Sequence, residues 1–392
     1  MSFMSDVDVE AQANIENLIQ SKMPKTSTAK MASKFAETHI EVEGYWIKKG
    51  KENVQDDPGY VCTASVKKNL AQLARVVCSG MFPVLLEGET SSGKTAMVLH
   101  LAKITGNLVI RLNNHEHTDL QEYIGSYVPD GNGRFVFVEG PLVKAARDGY
   151  WIILDELNLA PTDVIEALNR FRLFATQNPV GLYAGRKRLS RALLNRFIVL
   201  RFDQLPYEEL AQMVVVSCGI APSAANAMVS VFVDLRAQRS TFGVFSARDG
   251  LMTLRDLFKW AHRLSGSDQT DWRQSLAEHG FFLLGARCRN VEDLKTVKRT
   301  LEKNLKREID IKRLFSIDSP YLPDEFRGRS TIGTVVLTDT IRIMLVLVAQ
   351  CWQFSEPVLI VGETGCGKTT VAQIIAKVSS AVVARGYQLK VA

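Results

Sequence analysis

Two stretches of this chain have the residue types and spacing to hold a triphosphate. Gly88, Glu89, Thr90, Ser91, Ser92, Gly93, Lys94 and Thr95 satisfy G-x-x-x-x-G-K-[ST], and so do Gly362, Glu363, Thr364, Gly365, Cys366, Gly367, Lys368 and Thr369. The chemistry follows from the spacing. The glycines let the backbone curl so that successive N–H groups point at phosphate oxygens. The lysine reaches the β and γ phosphates, and the hydroxyl that follows ligates Mg²⁺. The next helix presents its positive end to the anion. Lys94 and Lys368 are therefore the expected phosphate cations for ATP. Thr95 and Thr369 are the expected metal ligands.

Downstream of the first loop, "WIILDE" ends an apolar run in two carboxylates. Asp155 is placed to hold Mg²⁺ through water, and Glu156 to polarise an attacking water. "FATQNP" ends the next apolar run in Asn178, which can orient that water. In "LSRALLNRF", Arg196 can reach a neighbouring subunit's γ-phosphate; Arg191 reads equally well as a solvated helix charge. His115 and His117 form an HxH pair, but no third ligand lies nearby, and hydrogen bonding in a loop is the better reading.

These groups need a scaffold that brings strand ends together. "PVLLEG", "NLVIRLN", "YWIILDE" and "FRLFATQN" are short β-rich runs with helical periodicity between most of them. That alternation predicts a mostly parallel α/β sheet flanked by helices. Ser65–Gly80 precedes the first loop with apolar residues at helical spacing, and Ser65 is a plausible N-cap. From Pro206 onward the strand signal fades and four helical segments follow, predicting an α-helical lid. "SYVPDGNGRFVFVEGPL" reads as a hairpin insert that carries partner contacts. Around the second loop the order helix, strand, loop, helix recurs, with Leu70 matching Met344 and Pro83 matching Pro357, an internal repeat of domain size. The expected boundaries are an extension and linker over 1–60, an α/β domain over 61–205, a lid over 206–325, and the start of a second, truncated P-loop module over 326–392.

Composition narrows the function classes. The chain has 392 residues, 46% hydrophobic and 23% charged, with a net charge of +6. The basic residues are spread out, and "KTVKRTLEKNLKREIDIKR" mixes both signs, so a solvated helix face is expected rather than sequence-specific nucleic-acid binding. No apolar run reaches the roughly 18 residues that span a bilayer. Six scattered cysteines without CxxC spacing argue against a zinc site and suggest a reducing compartment.

The stretches "RLNNHEHTDLQEYIGSYVPDGNGRFVFVEGPLVKAARDGYWIILDELNLAPTDVIEALNR", "LFATQNPVGLYAGRKRLSRALLNRF", "MTLRDLFKWAHRL" and "EPVLIVGETGCGKTT" closely resemble the midasin family, dynein-related AAA+ ATPases of large-ribosomal-subunit assembly. The likeness runs from about Glu41 to Lys377. It implies one interior ring module and the beginning of the next. By that resemblance Gly88–Thr95 is the Walker A loop, Asp155 and Glu156 are Walker B, and Asn178 is sensor 1. Arg196 is the finger acting on a neighbour, and Arg255 takes the sensor 2 position, with Arg248 the weaker candidate. The partners implied are neighbouring AAA+ modules of one ring and the pre-60S ribosomal particle with its assembly factors. The implied place is the nucleus, nucleolus and nucleoplasm. The implied role is ATP-driven removal of assembly factors during pre-60S maturation and export. A nucleotide-binding structural module without appreciable turnover is the alternative. A stand-alone P-loop kinase or helicase fits the lid and the finger arginine less well. The resemblance breaks at the join of Arg170 to Phe171, where the family carries a further stretch. A strained helix-to-strand transition is expected there.

Overall fold

A computed structural model describes residues 36–383 apart from 81, 116–117, 132, 160–171, 180–187, 243–251, 267–270, 289 and 333–334. The Arg170–Phe171 join, Arg248 and His117 lie outside the described residues. The chain divides into two compact units, Met1–Ser217 and Cys218–Ala392.

The first unit is built on five parallel strands, β3 (Val84–Gly88), β4 (Val109–Asn113), β7 (Trp151–Asp155), β8 (Leu173–Gln177) and β9 (Ile198–Phe202), in the order β4-β7-β8-β3-β9. Side chains alternate between the two faces of a strand. Here both faces are covered, so the central strands are apolar over most of their length and turn polar only at their carboxyl ends. Val84, Leu86, Trp151, Ile153 and Phe174 enter one core with helices α1 (Ala64–Ser79) and α2 (Lys94–Thr105). Leu85, Ile152, Leu154, Leu173 and Ala175 enter the other, with α3 (Leu120–Ile124), α4 (Pro141–Asp148) and Leu193 of α5 (Arg191–Leu194). The order places the loop-bearing β3 between β8 and β9, with acidic β7 one strand further out. The strands' carboxyl ends therefore bring residues 88, 155 and 178 to one edge.

Two sequence expectations are corrected in this unit. The stretch read as extension and linker contains a hairpin, β1 (His39–Val42) and β2 (Tyr45–Lys48), whose Val42 and Ile47 are buried in the same core as α1. Only two side chains of this ten-residue hairpin are fully buried, too few to show as periodicity. The N-cap of α1 is Thr63 rather than Ser65. Its first turn is instead capped from far along the chain. Glu209 of α6 (Tyr207–Cys218) accepts hydrogen bonds from Ser65 N (3.2 Å), Ser65 Oγ (2.9 Å) and Thr63 Oγ1. A carboxylate there satisfies orphan donors and favours the helix dipole.

The expected insert is present as the hairpin β5 (Gly125–Pro129) and β6 (Phe135–Glu139). Tyr127, Phe135 and Phe137 fall on one of its faces and Val128, Val136 and Val138 on the other, and all six are exposed.

In the second unit, α7 (Pro222–Phe242), α8 (Leu254–Ser265), α9 (Trp272–Leu284) and α10 (Val291–Leu305) form the lid bundle. Thr253 and Asp256 make a capping box that starts α8. Trp260, 1% exposed, donates from Nε1 to Leu276 O at 2.9 Å. Short α11 (Ile311–Leu314) and the two-residue ladder of β10 (Thr331–Ile332) with β11 (Val335–Val336) follow. The repeat then supplies α12 (Asp339–Gln353) and α13 (Lys368–Val383). Lid and repeat, read from sequence as separate domains, share this unit; Arg263 of α8 pairs with Glu356 at 2.7 Å in a nearly dry setting. The strand expected at "PVLIVG" does not form. Residues 357–362 are irregular, with Leu359 87% and Val361 80% exposed. Among the described residues no strand pairs with them, and a parallel strand needs at least one neighbour to share its ladder. No described helix is long and apolar enough to cross a membrane.

Candidate nucleotide site

The first loop turns from β3 into α2 through two left-handed residues, Ser91 (φ +66°) and Gly93 (φ +84°). Gly88 must be glycine because a Cβ there would stand 2.6 Å from Phe202 O on β9. No side chain caps the start of α2, so its first-turn N–H groups face into the loop. Ser91 Oγ is buried without a hydrogen-bond partner among the described residues. Uncapped N–H groups, an orphaned hydroxyl and a buried lysine at a helix N-terminus are the donor set that a phosphate chain requires.

Lys94 is 7% exposed. Its ammonium donates to Gly88 O (2.9 Å), Glu89 O (2.6 Å), Ser92 Oγ (3.3 Å) and Asn178 Oδ1 (3.2 Å). Asn178 turns its other end to Glu156, Nδ2 donating to Oε1 at 2.7 Å. This amide orientation is the one the chemistry demands, since a lysine offers no acceptor and a carboxylate no donor. The three side chains thus form one bridge across β3, β8 and the end of β7. Asn158, 1% exposed, fixes the Asn178 backbone by donating to its carbonyl at 3.0 Å.

The adjoining carboxylate is held just as firmly. Asp155 Oδ1 accepts from Thr95 Oγ1 (2.8 Å) and Thr176 Oγ1 (2.9 Å), while Oδ2 accepts from Arg111 Nε at 2.5 Å. Thr176 also accepts from Glu156 N at 3.2 Å. Glu156 sits at φ +57°, a conformation that costs a non-glycine residue about 1 kcal/mol or more. That turn directs its side chain toward Asn178 rather than along the strand. Thr95 and Asp155 are the oxygen donors that could hold a divalent cation beside a bound phosphate, and hard oxygen donors suit Mg²⁺.

Lys94, Thr95, Asp155, Glu156 and Asn178 are therefore brought together as the sequence suggests. Arg196 is not part of this cluster. It is exposed in the turn after α5, and among the described residues its guanidinium makes no hydrogen bond with the cluster. Arg255 is exposed in the first turn of α8 in the second unit. Arg111, Thr176 and Asn158 were not evident from sequence. Thr176 stands two residues before Asn178, and so on the same face of β8, which is the one signal that could have found it.

The second loop repeats the backbone of the first. Gly365 (φ +86°) and Gly367 (φ +88°) occupy the positions of Ser91 and Gly93. Lys368 donates to Gly362 O (2.7 Å) and Glu363 O (2.5 Å), and its nitrogen lies 3.7 Å from Cys366 Sγ. Thr369 is exposed, with no carboxylate beside it among the described residues.

A five-stranded parallel sheet with this loop on an interior strand, an acidic strand end two strands away and a polar residue on the strand between them defines a P-loop ATPase module of the AAA+ class. The AAA domain of the dynein-related subfamily matches residues 83–171, and the midasin AAA lid domain matches residues 209–308. The chain belongs to the midasin family. It is 41% identical over 372 residues to midasin of Dictyostelium discoideum, covering 86% of this chain and 6% of that protein. Midasin of Giardia intestinalis is 35% identical over 369 residues, 81% of this chain and 7% of that protein. Protein NorQ of Paracoccus denitrificans (strain Pd 1222) is 33% identical over 143 residues, 31% of this chain and 52% of that protein. The chain thus spans less than a tenth of the length of the midasins it matches.

Proposed function

We propose that the first loop binds ATP with Mg²⁺ and that this module hydrolyses it as part of a AAA+ ring. The observation that carries the reading is the bridge from Lys94 through Asn178 to Glu156, beside the Thr95–Asp155 contact. Lys94 exchanges its carbonyl partners for phosphate oxygens. Thr95 and Asp155 would hold the metal, which when bound would neutralise charge developing on the phosphates. Glu156 accepts a proton from water, and Asn178 holds Glu156 and that water in line. Arg196, outside the cluster, serves a neighbouring module's site, and Arg255 of the lid acts as sensor 2. The second loop, Gly362 to Thr369, binds nucleotide in the same manner once a neighbouring acidic strand completes it. Family membership extends the reading to removal of assembly factors from pre-60S particles and their export, in nucleolus and nucleoplasm.

Nucleotide titration and phosphate release on the wild-type chain, Lys94→Ala and Glu156→Gln test it. Lys94→Ala should weaken ATP binding at the first site at least tenfold, since a charge-assisted hydrogen bond contributes about 1.5–3 kcal/mol. Glu156→Gln should bind normally and lose turnover by roughly 10²–10⁴. Equal affinity for wild type and Lys94→Ala would overturn the site. Normal binding with no phosphate release at any protein concentration would leave a structural nucleotide module.

A further inference from the structure

Asp155 has one immobile side and one movable side. Its Oδ1 is tied to Thr95 and Thr176, both close to the strand ends, whereas its Oδ2 is paired with Arg111. The carboxylate side chain is 8% exposed and that of Arg111 is 45% exposed. Arg111 lies on β4, opposite Ile153, while Asn113 lies opposite Asp155. The guanidinium therefore reaches diagonally across the strand pair from the solvent side. It can swing out without disturbing a packed group.

A carboxylate this buried needs a counter-charge. Arg111 supplies it here, and a divalent cation ligated by Thr95 beside Asp155 would supply it in its place. Two cations against one carboxylate repel each other. On the reading that this site takes nucleotide with a divalent metal, we infer that Arg111 is a displaceable counter-ion of Asp155. It neutralises the carboxylate before the metal arrives and retreats to solvent as the metal enters, so that the strength of the Arg111–Asp155 pair sets the metal concentration the site requires. Arg111 is a positioning residue in this scheme and touches neither phosphate nor water.

The test is a Mg²⁺ titration of the binding of a fluorescent ADP analogue to the full chain, with wild type, Arg111→Gln and Arg111→Lys compared. Binding in EDTA serves as the metal-free reference, and Mn²⁺ uptake followed by electron paramagnetic resonance reads the metal directly. Removing a half-exposed ion pair should lower the Mg²⁺ midpoint of Arg111→Gln roughly two- to fivefold while EDTA affinity stays within about twofold. Arg111→Lys should fall between, because an ammonium is more strongly hydrated and lacks the planar fork. A midpoint that is unchanged, or that rises, overturns the inference; a rise would mean that Arg111 holds Asp155 in the metal-binding pose. If Arg111→Gln does not fold, the direction of the Arg111→Lys shift decides alone. Analogue binding whose Mg²⁺ midpoint ignores Arg111 sinks this inference and leaves the nucleotide site standing. A wild-type chain that binds no analogue removes both.

Discussion

Asn178 is the residue on which the two halves of the site meet, since its amide receives from Lys94 and donates to Glu156. If it acts by holding Glu156, its loss and the loss of the Glu156 carboxylate should not add. Asn178→Ala alone should reduce phosphate release roughly 10²- to 10³-fold with little change in ATP affinity, the scale of losing an orienting hydrogen bond in a transition state. The same substitution in a Glu156→Gln background should cost little more. Additive losses in that double-mutant cycle would separate Asn178 from Glu156 and assign it to the phosphate instead.

At the scale of elements, the second unit is tied together by a polar knot between α8, α9 and the segment after α12. His279 of α9 is 3% exposed, surrounded by the rings of Phe282, Tyr321 and Phe354. Burial, followed by the nearby Arg263 charge, pushes its imidazole down to about 4, with Glu356 opposing. Its folded value lies below the unfolded one, so the unfolded chain binds the extra proton first. Stability is then fully present above about pH 6.5 and declines as pH falls toward 4. A shift of this size corresponds to about 3 kcal/mol across that window. Wild type should lose more melting temperature between pH 7 and pH 4.5 than His279→Phe, a ring of similar shape that cannot be protonated. Parallel losses in the two proteins would show that His279 carries no such linkage.

For the whole molecule, Arg196 is exposed and outside the Lys94–Asn178–Glu156 cluster, so on the proposed reading, in which it serves a neighbour's site, turnover would depend on assembly. A finger of this kind is worth roughly 10³–10⁵ in rate, or about 4–7 kcal/mol. The dilute chain should bind ATP yet hydrolyse it only at a basal rate. The rate per chain should rise with protein concentration and stop rising in Arg196→Ala. Robust turnover at high dilution, unaffected by Arg196→Ala, would place the finger elsewhere. Hairpin β5–β6 and residues Val358, Leu359 and Val361 also expose apolar surface.

Features contiguous along the chain could be read before any fold was known. Each P-loop is eight consecutive residues whose geometry is local, so Gly88–Thr95 and Gly362–Thr369 were legible, and their matching left-handed positions show that the local backbone follows the motif. Asp155, Glu156 and Asn178 were legible because each ends an apolar strand, and strand ends are where a parallel sheet collects its chemistry. The helical lid followed from periodicity. Tertiary structure alone decided the rest. Thr176 and Arg111 reach Asp155 only through the register of β8 and β4 on β7, and register is a pairing between strands, absent from any one of them. Glu209 caps α1 across a long loop of chain, and the hairpin at 39–48 earns its burial only once α1 is there to cover it. The strand absent at 357–362 makes the same point from the other side. An apolar run of β-rich residues becomes a strand only where a neighbour's N–H and C=O groups are in place to receive its own.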